Sequence, residues 1–267
     1  MAIGWIDAGG VSLRYELGGS NGPLVVLLHE MAGTLESWDL VMPALQKRYR
    51  TLRYDMRGAG LSEKIRGEVS GNQLADDLKS LLDGLHLGGK VALIGCAVGA
   101  NVALRFAARH PAHTGAVAIS SPATHIPAER RDATYAMIDG FLREGLRSIA
   151  EKSLLTSYPE EFRTLDPERF ASTRSRWLGN DPESFAAIYR MLASSDLEMV
   201  FPQVVAPCLL IGCLQDAGRP PDGVRMIADR IKDARFVTIL SAHFPAIQNP
   251  EAFLGVVLPF LENNWQG

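Results

Sequence analysis

The chain has 267 residues, a net charge of −3 and 47% hydrophobic residues, which is the composition of an ordinary globular protein. That length fits one large α/β domain with an inserted subdomain. The charge excludes the basic footprint of a nucleic-acid-binding protein and the polybasic patch of a membrane-surface protein. Three cysteines cannot form a disulfide framework, and neither a signal peptide nor a membrane-length apolar run is visible. We therefore expect a cytoplasmic protein.

Short apolar runs alternate with helical patterns along much of the chain. Helical spacing predicts helices at 74–85, at 100–109 and after Asn249, which is an N-cap followed by proline. This alternation predicts a parallel sheet covered by helices on both faces. The runs typical of buried strands lie at 24–28, 51–54, 91–94, 116–119, 208–211 and 236–240.

The alternation stops after Pro122 and resumes near Pro207. Between them the pattern is almost wholly helical, interrupted only by short loop signals. The simplest interpretation is a helical lid inserted between two strands of one sheet, because surface loops tolerate such insertions. We predict a core formed by residues 1–124 and 201–267, and a lid or cap subdomain at 125–200.

The segment around Ala97 has the pattern of a nucleophile elbow. In Gly95-Cys96-Ala97-Val98-Gly99, glycines stand two residues before and two residues after one central position, between a buried strand and a helix start. The central residue is alanine, which has neither oxygen nor sulfur. Cys96 is out of the register that the glycines set, so it is more simply a packing residue. Two interpretations follow: an enzyme whose nucleophile has been replaced, or a natural non-enzyme.

Three further segments carry groups suited to acyl-transfer chemistry. The loop 28–34 follows a buried strand, and its backbone N–H at Met31 can serve beside that of Val98 as an oxyanion hole. Asp216 follows a late strand, and His243 follows the last one. Nucleophile, acid and histidine thus occur in the order found in α/β hydrolases.

Together these segments resemble the α/β-hydrolase superfamily over nearly the whole chain. Residues 55–62, DMRGAGLS, are similar to its D-x-R-G-x-G-x-S turn, and 33–39 and 242–253 are similar to its usual loop and tail. The chain is most similar to the lidded group that contains 3-oxoadipate enol-lactonases, meta-cleavage C–C hydrolases and related catabolic amidases or deformylases. The resemblance implies a mostly parallel eight-stranded sheet flanked by helices, with an inserted helical lid. It implies no metal and no organic cofactor.

The resemblance also implies a role for each site residue. His243 is the base, Asp216 orients it, and the N–H groups of Met31 and Val98 bind the oxyanion. We interpret Ala97 as the replacement of a serine, which would leave an inactive variant. The dehalogenases and epoxide hydrolases of this fold place an aromatic residue after a nucleophilic aspartate, so Val98 argues against them.

The implied substrate is a small, carboxylate-bearing ester, lactone, amide or activated C–C compound from aromatic or heterocyclic catabolism, with water as the second substrate. Glu30 replaces the usual glycine after His29, so its carboxylate should point away from the oxyanion or contact a donor on the substrate. Arg174 and Trp177 are candidate substrate contacts in the lid, although a solvated helix face and lid core are simpler interpretations.

Two other functions and the assembly state stay open. A ligand-binding protein of the same fold needs no nucleophile, and a cofactor-free lyase or oxygenase could use the His243–Asp216 pair as its base. We expect no nucleic-acid partner and no membrane partner, and homo-oligomerisation is left open.

Overall fold

A computed structural model describes residues 2–19 and 21–266. Within them, eight strands form one sheet: Ala2–Asp7 (β1), Ser12–Gly18 (β2), Leu24–Leu28 (β3), Arg50–Tyr54 (β4), Val91–Cys96 (β5), Thr114–Ser120 (β6), Cys208–Cys213 (β7) and Ala234–Ile239 (β8). Their order is β1-β2-β4-β3-β5-β6-β7-β8. The pairs β1–β2 and β2–β4 are antiparallel, and the other neighbouring pairs are parallel. The predicted mostly parallel, eight-stranded sheet is confirmed.

All six apolar runs that predicted strands overlap strands, and the observed bounds differ from the predicted ones by two residues at most. Every residue of β3, β5 and β7 is buried, as expected for central strands covered on both faces. The pattern did not reveal β1 or β2. In β2, Arg14 and Glu16 interrupt the hydrophobicity. Both are buried there, in ion pairs of 2.9 Å with Asp55 and 3.0 Å with Arg53.

Helices cover both faces of the sheet. They lie at Met42–Leu45 (α1), Gly71–Gly84 (α2), Val98–Arg109 (α3), Ala128–Glu144 (α4), Arg147–Ser157 (α5), Glu160–Leu165 (α6), Pro167–Leu178 (α7), Pro182–Ser194 (α8), Pro221–Ala228 (α9), Pro245–Gln248 (α10) and Pro250–Asn264 (α11). One apolar cluster joins the sheet to α2, α3 and α9, and a second joins its other face to α1 and α11. In the part of the chain that is described, no helix combines the length and apolarity needed to cross a bilayer.

The helices α4 to α8 lie between β6 and β7, within the segment 125–200 that the sequence assigns to a lid. We call them the helical insertion. Four of them, α4, α5, α7 and α8, share an apolar core that includes Phe141, Trp177 and Phe185. The insertion contacts the loop after β3, where Asn180 Nδ2 donates a hydrogen bond of 3.1 Å to the carbonyl of Ala32. It therefore covers part of the edge at which β3 ends.

The parallel strands β3, β5, β7 and β8 all end at this edge of the sheet. In the strand register, Leu28 stands beside Gly95, and Cys213 stands beside Ile239. The loops that follow these strands, together with the first residue of α3, carry every predicted site residue outside the helical insertion. The topology thus brings together residues that are more than two hundred positions apart.

Candidate active site

Ala97 occupies a strained turn between β5 and α3. Its φ is +51° and its ψ is −110°, a conformation that residues other than glycine adopt at a cost of roughly 1–3 kcal/mol. Three backbone hydrogen bonds hold it. The Ala97 N–H donates to the Ser120 carbonyl at 3.1 Å, and the Ala97 carbonyl accepts from the N–H groups of Asn101 at 3.3 Å and Ala123 at 3.1 Å. The structure therefore has the strained geometry of a nucleophile elbow, with an alanine at its apex.

The two glycines of the elbow permit close backbone contacts. A Cβ on Gly95 would lie 2.7 Å from the carbonyl oxygen of Gly99. A Cβ on Gly99 would lie 2.1 Å from the carbonyl oxygen of Leu28. Because Gly99 has no Cβ, the end of β3 and the start of its loop can pack closely against the first turn of α3. The glycine spacing seen in the sequence thus has a steric cause on each side of Ala97.

Met31 and Val98, the two predicted oxyanion donors, line the same small cavity. Its volume is about 30 Å³, enough for roughly one water molecule. Phe185 and Ile188 of α8 close it from the side of the helical insertion. The loop after β3 and the first turn of α3 therefore face one shared cavity.

His29 and Glu30 shape the loop that carries Met31. Nε2 of His29 accepts a hydrogen bond of 3.0 Å from the Met56 N–H, so Nδ1 carries the proton and donates to the Glu30 carbonyl at 2.7 Å. The carboxylate of Glu30 is buried and accepts a hydrogen bond of 2.8 Å from the Ser37 hydroxyl. Glu30 therefore has a partner within its own loop.

His243 is hydrogen-bonded to Asp216, as the sequence predicts. Nδ1 of His243 lies 2.9 Å from Oδ2 of Asp216, and Oδ1 of Asp216 accepts from the N–H groups of Gly218 and Arg219, both at 3.0 Å. An ionised carboxylate can only accept, so Nδ1 carries the proton. Nε2 of the neutral imidazole then keeps its lone pair, which is what a general base needs.

Asp216 is held in its ionised form. Burial favours the neutral acid, but the charge that His243 carries in its protonated form and the hydrogen bond from its imidazole outweigh burial, and the pKa of Asp216 falls to about 2. The Ser121 side chain and the Arg219 N–H also lower the pKa of this carboxyl group. Ser121 is fully buried at a φ of +48°, directly after β6. Its contact with Asp216 was not predicted, since no local sequence pattern marks a serine in this conformation.

Cys96 links the elbow to the His243 segment. Its Sγ lies 3.3 Å from the carbonyl oxygen of His243, so the residue before Ala97 contacts the backbone of the predicted base. Burial raises the pKa of the Cys96 thiol well above its usual range, and the charge of Glu30 adds to that effect. The thiol therefore packs in the core and is a poor nucleophile.

The two predicted contacts in the helical insertion have structural partners. Arg174 forms an ion pair of 2.6 Å with Glu151 of α5. Trp177 is buried and packs edge-on against Phe185, with ring centroids 5.2 Å apart. Among the described residues that line the cavity of Met31 and Val98, neither Arg174 nor Trp177 is included. The simpler interpretations, a helix surface and a lid core, describe these contacts better than substrate binding does.

The sheet topology, the strained elbow after β5 and the histidine–aspartate pair after β8 and β7 define the α/β-hydrolase class. The comparisons with known proteins agree. The sequence profile described as "Serine aminopeptidase, S33" matches residues 19–243, and the chain belongs to this family of α/β hydrolases. The predicted membership of the superfamily is thereby confirmed.

Similar proteins span almost the full chain. It is 22% identical to 3-oxoadipate enol-lactonase 1 of Acinetobacter baylyi, over 95% of this chain and 94% of that one. It is 26% identical to the putative carbamate hydrolase RutD of Stutzerimonas stutzeri, over 93% and 96%. These relatives are named as hydrolases, so they support the same enzyme class.

Solved structures give the same result. The enol-lactonase from Burkholderia xenovorans superposes with a TM-score of 0.91 at 27% identity, covering 97% of this chain and all of that one. A thermophilic esterase from Thermogutta terrifontis with malate bound also has a TM-score of 0.91, at 26% identity, over 98% and 99%.

Proposed function

We propose that the parent of this chain is a serine-type hydrolase and that this chain is its inactive variant, with Ala97 at the nucleophile position. The substrate class is a small, carboxylate-bearing ester, lactone, amide or activated C–C compound of aromatic or heterocyclic catabolism. One observation carries the proposal: the imidazole of His243 is oriented by Asp216 through Nδ1, beside an elbow that offers no nucleophile.

The proposed chemistry follows from the geometry. A serine hydroxyl at position 97 would give its proton to Nε2 of His243 as it attacks the substrate carbonyl. The ionised Asp216 would stabilise the imidazolium, and the N–H groups of Met31 and Val98 would stabilise the oxyanion. The imidazolium then protonates the leaving group, and water, activated by the same imidazole, releases the acyl group.

Alanine at position 97 stops this sequence at its first step. Its methyl group has no proton to give and no lone pair to attack with, so no covalent intermediate forms. Loss of such a nucleophile lowers the rate by about a million-fold in a well-studied serine hydrolase. The pocket and the oxyanion donors do not depend on the hydroxyl, so substrate binding should survive.

The comparisons support the class of substrate. The similar proteins include two named as enol-lactonases and one esterase structure with malate, a dicarboxylate, bound. Carboxylate-bearing substrates are therefore the first to test. The carbamate hydrolase among the relatives keeps amide-like substrates in the proposed range.

Ala97 itself favours a second candidate, a ligand-binding protein that never had a nucleophile. The His243–Asp216 pair weighs against it, because a binding protein has no evident need for an oriented base. The two candidates differ in what a restored hydroxyl would do. In the binding protein, Ala97→Ser adds an inert side chain, whereas in the hydrolase it restores activity.

The test is a kinetic comparison of three proteins on a panel of esters, lactones and amides with and without a carboxylate. The Ala97→Ser variant is expected to hydrolyse at least one substrate with turnover. The unaltered chain and the Ala97→Ser/His243→Gln double variant should stay at background. If the Ala97→Ser variant is folded and is inactive on the whole panel, the proposed hydrolase is wrong.

A further inference from the structure

A cleft of about 310 Å³ lies where the helical insertion joins the sheet. Its walls come from both connections of the insertion, 124–127 and 196–198, from the loop 218–220 that follows Asp216, and from α9. Its volume falls at the lower end of the range for small-molecule sites, roughly 300–1,000 Å³. The residues of the proposed oxyanion hole and His243 are not among the described residues that line it, so it is separate from the reaction centre.

Arg219 brings a positive charge into this cleft, and neither of the two described carboxylates that line it, Asp196 and Glu198, forms an ion pair with Arg219. Among the described residues it has no ion-pair partner, and its Nε is buried without a hydrogen-bond partner. Its one side-chain hydrogen bond, from Nη1, goes to the carbonyl of the adjacent Gly218 at 3.0 Å. Burying the Nε of a guanidinium without a hydrogen-bond acceptor is costly, so this site is incomplete as it stands.

Arg130 of α4 adds a second unmatched charge to the same cleft. It too lacks an ion-pair partner within the described part of the chain, whereas Arg230, a third arginine of the cleft, is paired with Glu198. Burial lowers the pKa of the Arg219 guanidinium and the nearby charge of Arg130 lowers it further, against the opposite effect of Asp216. Two like charges held together in this way attract an anion that would relieve their repulsion.

The remaining surface between these charges is largely apolar. Apolar side chains from both connections, from the turn before β7 and from α9 line it: Pro122, Leu197, Phe201, Val224 and Ile227. We propose that the cleft binds an aliphatic dicarboxylate, with one carboxylate on Arg130, the other on Arg219 and the methylene chain against the apolar wall. Each guanidinium can bind one carboxylate through two parallel N–H···O hydrogen bonds. An inorganic anion would leave the apolar wall uncovered.

Such a ligand would connect the helical insertion to the core. Arg130 belongs to the first helix of the insertion, while the backbone N–H of Arg219 hydrogen-bonds the carboxylate of Asp216 at 3.0 Å. A bound dicarboxylate therefore fixes the insertion relative to the loop that holds the acid. The site needs no nucleophile, so it goes beyond the proposed function and does not depend on it.

The experiment is a calorimetric titration of the unaltered chain with glutarate, a five-carbon dicarboxylate. We expect saturable binding and a rise in melting temperature with glutarate concentration. Arg219→Gln and Arg130→Gln should each weaken binding by roughly tenfold or more, because each leaves one carboxylate without its partner. Arg174→Gln is the matched control, since that arginine is paired with Glu151, and it should bind glutarate unchanged.

Two further probes define the ligand class. Glutaramide, which is uncharged, and inorganic phosphate, which has no methylene chain, should both bind more weakly than glutarate. The proposal is overturned by the absence of saturable glutarate binding, by full binding in both cleft variants, or by equal binding of either probe. If the Arg219→Gln variant does not fold, the glutarate titration of the Arg130→Gln variant, whose substitution is at an exposed position, tests the proposal by itself. A failure here leaves the activity of the Ala97→Ser variant untouched, so the two proposals can fail separately.

Discussion

The ionised carboxylate of Asp216 should stabilise the folded chain measurably, and Asp216→Asn removes it. The folded pKa is about 2, against an ordinary value of 3.8. One pKa unit corresponds to about 1.4 kcal/mol, so the charge contributes roughly 2 kcal/mol to the free energy of unfolding at neutral pH. The side chain is 1% exposed, so solvent screening does not reduce this value appreciably.

The sign of the pH dependence follows from the lowered pKa. The stabilisation is complete well above the unfolded pKa, falls to about half near pH 3, and is lost as the pH drops through the folded pKa. Urea unfolding followed by circular dichroism at about pH 7, pH 5 and pH 3 measures it. The difference between the unaltered chain and Asp216→Asn should be similar at the first two values and smaller at the third.

Asp139→Asn is the matched control, because this aspartate is exposed on α4. It should change the free energy of unfolding by less than about 0.5 kcal/mol at each pH. The reasoning is refuted if Asp216→Asn is as stable as the unaltered chain at neutral pH. A difference that stays constant down to pH 3 would also refute it, since the carboxylate charge would then not be its source.

Two further predictions concern the elbow and the cysteines. Gly99→Ala should lower the free energy of unfolding by about 1–3 kcal/mol or more, because its Cβ would lie 2.1 Å from the Leu28 carbonyl oxygen. Gly255→Ala in α11, where the added Cβ meets open space, should instead raise the free energy of unfolding by about 0.5–1 kcal/mol. Urea unfolding measures both variants, and equal effects would contradict the steric argument. Iodoacetamide should leave the folded chain unmodified by mass spectrometry and should modify three thiols in urea, whereas modification before unfolding would contradict their burial. These thiols are Cys96, Cys208 and Cys213.

Much of the fold was predictable because its signals are local. A central strand such as β3 is a continuous apolar run, and Asn249 caps α11 by accepting from the Ala252 N–H at 3.1 Å. The strand β2 was not predictable from its pattern. Its inward charges become compatible with burial only through partners on β4 and on the loop after it, some forty positions away.

The candidate site likewise has features that were predictable from the sequence and features that were not. The glycines around Ala97 mark a local backbone requirement, so the elbow is visible in the sequence. Helical spacing could not show that Arg174 forms an ion pair with Glu151, since that pair joins two separate helices. Nor could the sequence show that Arg219 has no ion-pair partner among the described residues, because that depends on the arrangement of several segments around one cleft.

The most direct measurement of the central proposal is covalent labelling with a fluorophosphonate, read by intact mass and peptide mapping. The Ala97→Ser variant should gain one phosphonyl group at position 97. The unaltered chain should gain none, and the Ala97→Ser/His243→Gln variant should label far more slowly, since the base that removes the proton is absent. No labelling of a folded Ala97→Ser variant, or equal labelling with and without His243, would contradict the assignment of position 97 and His243 to one catalytic site.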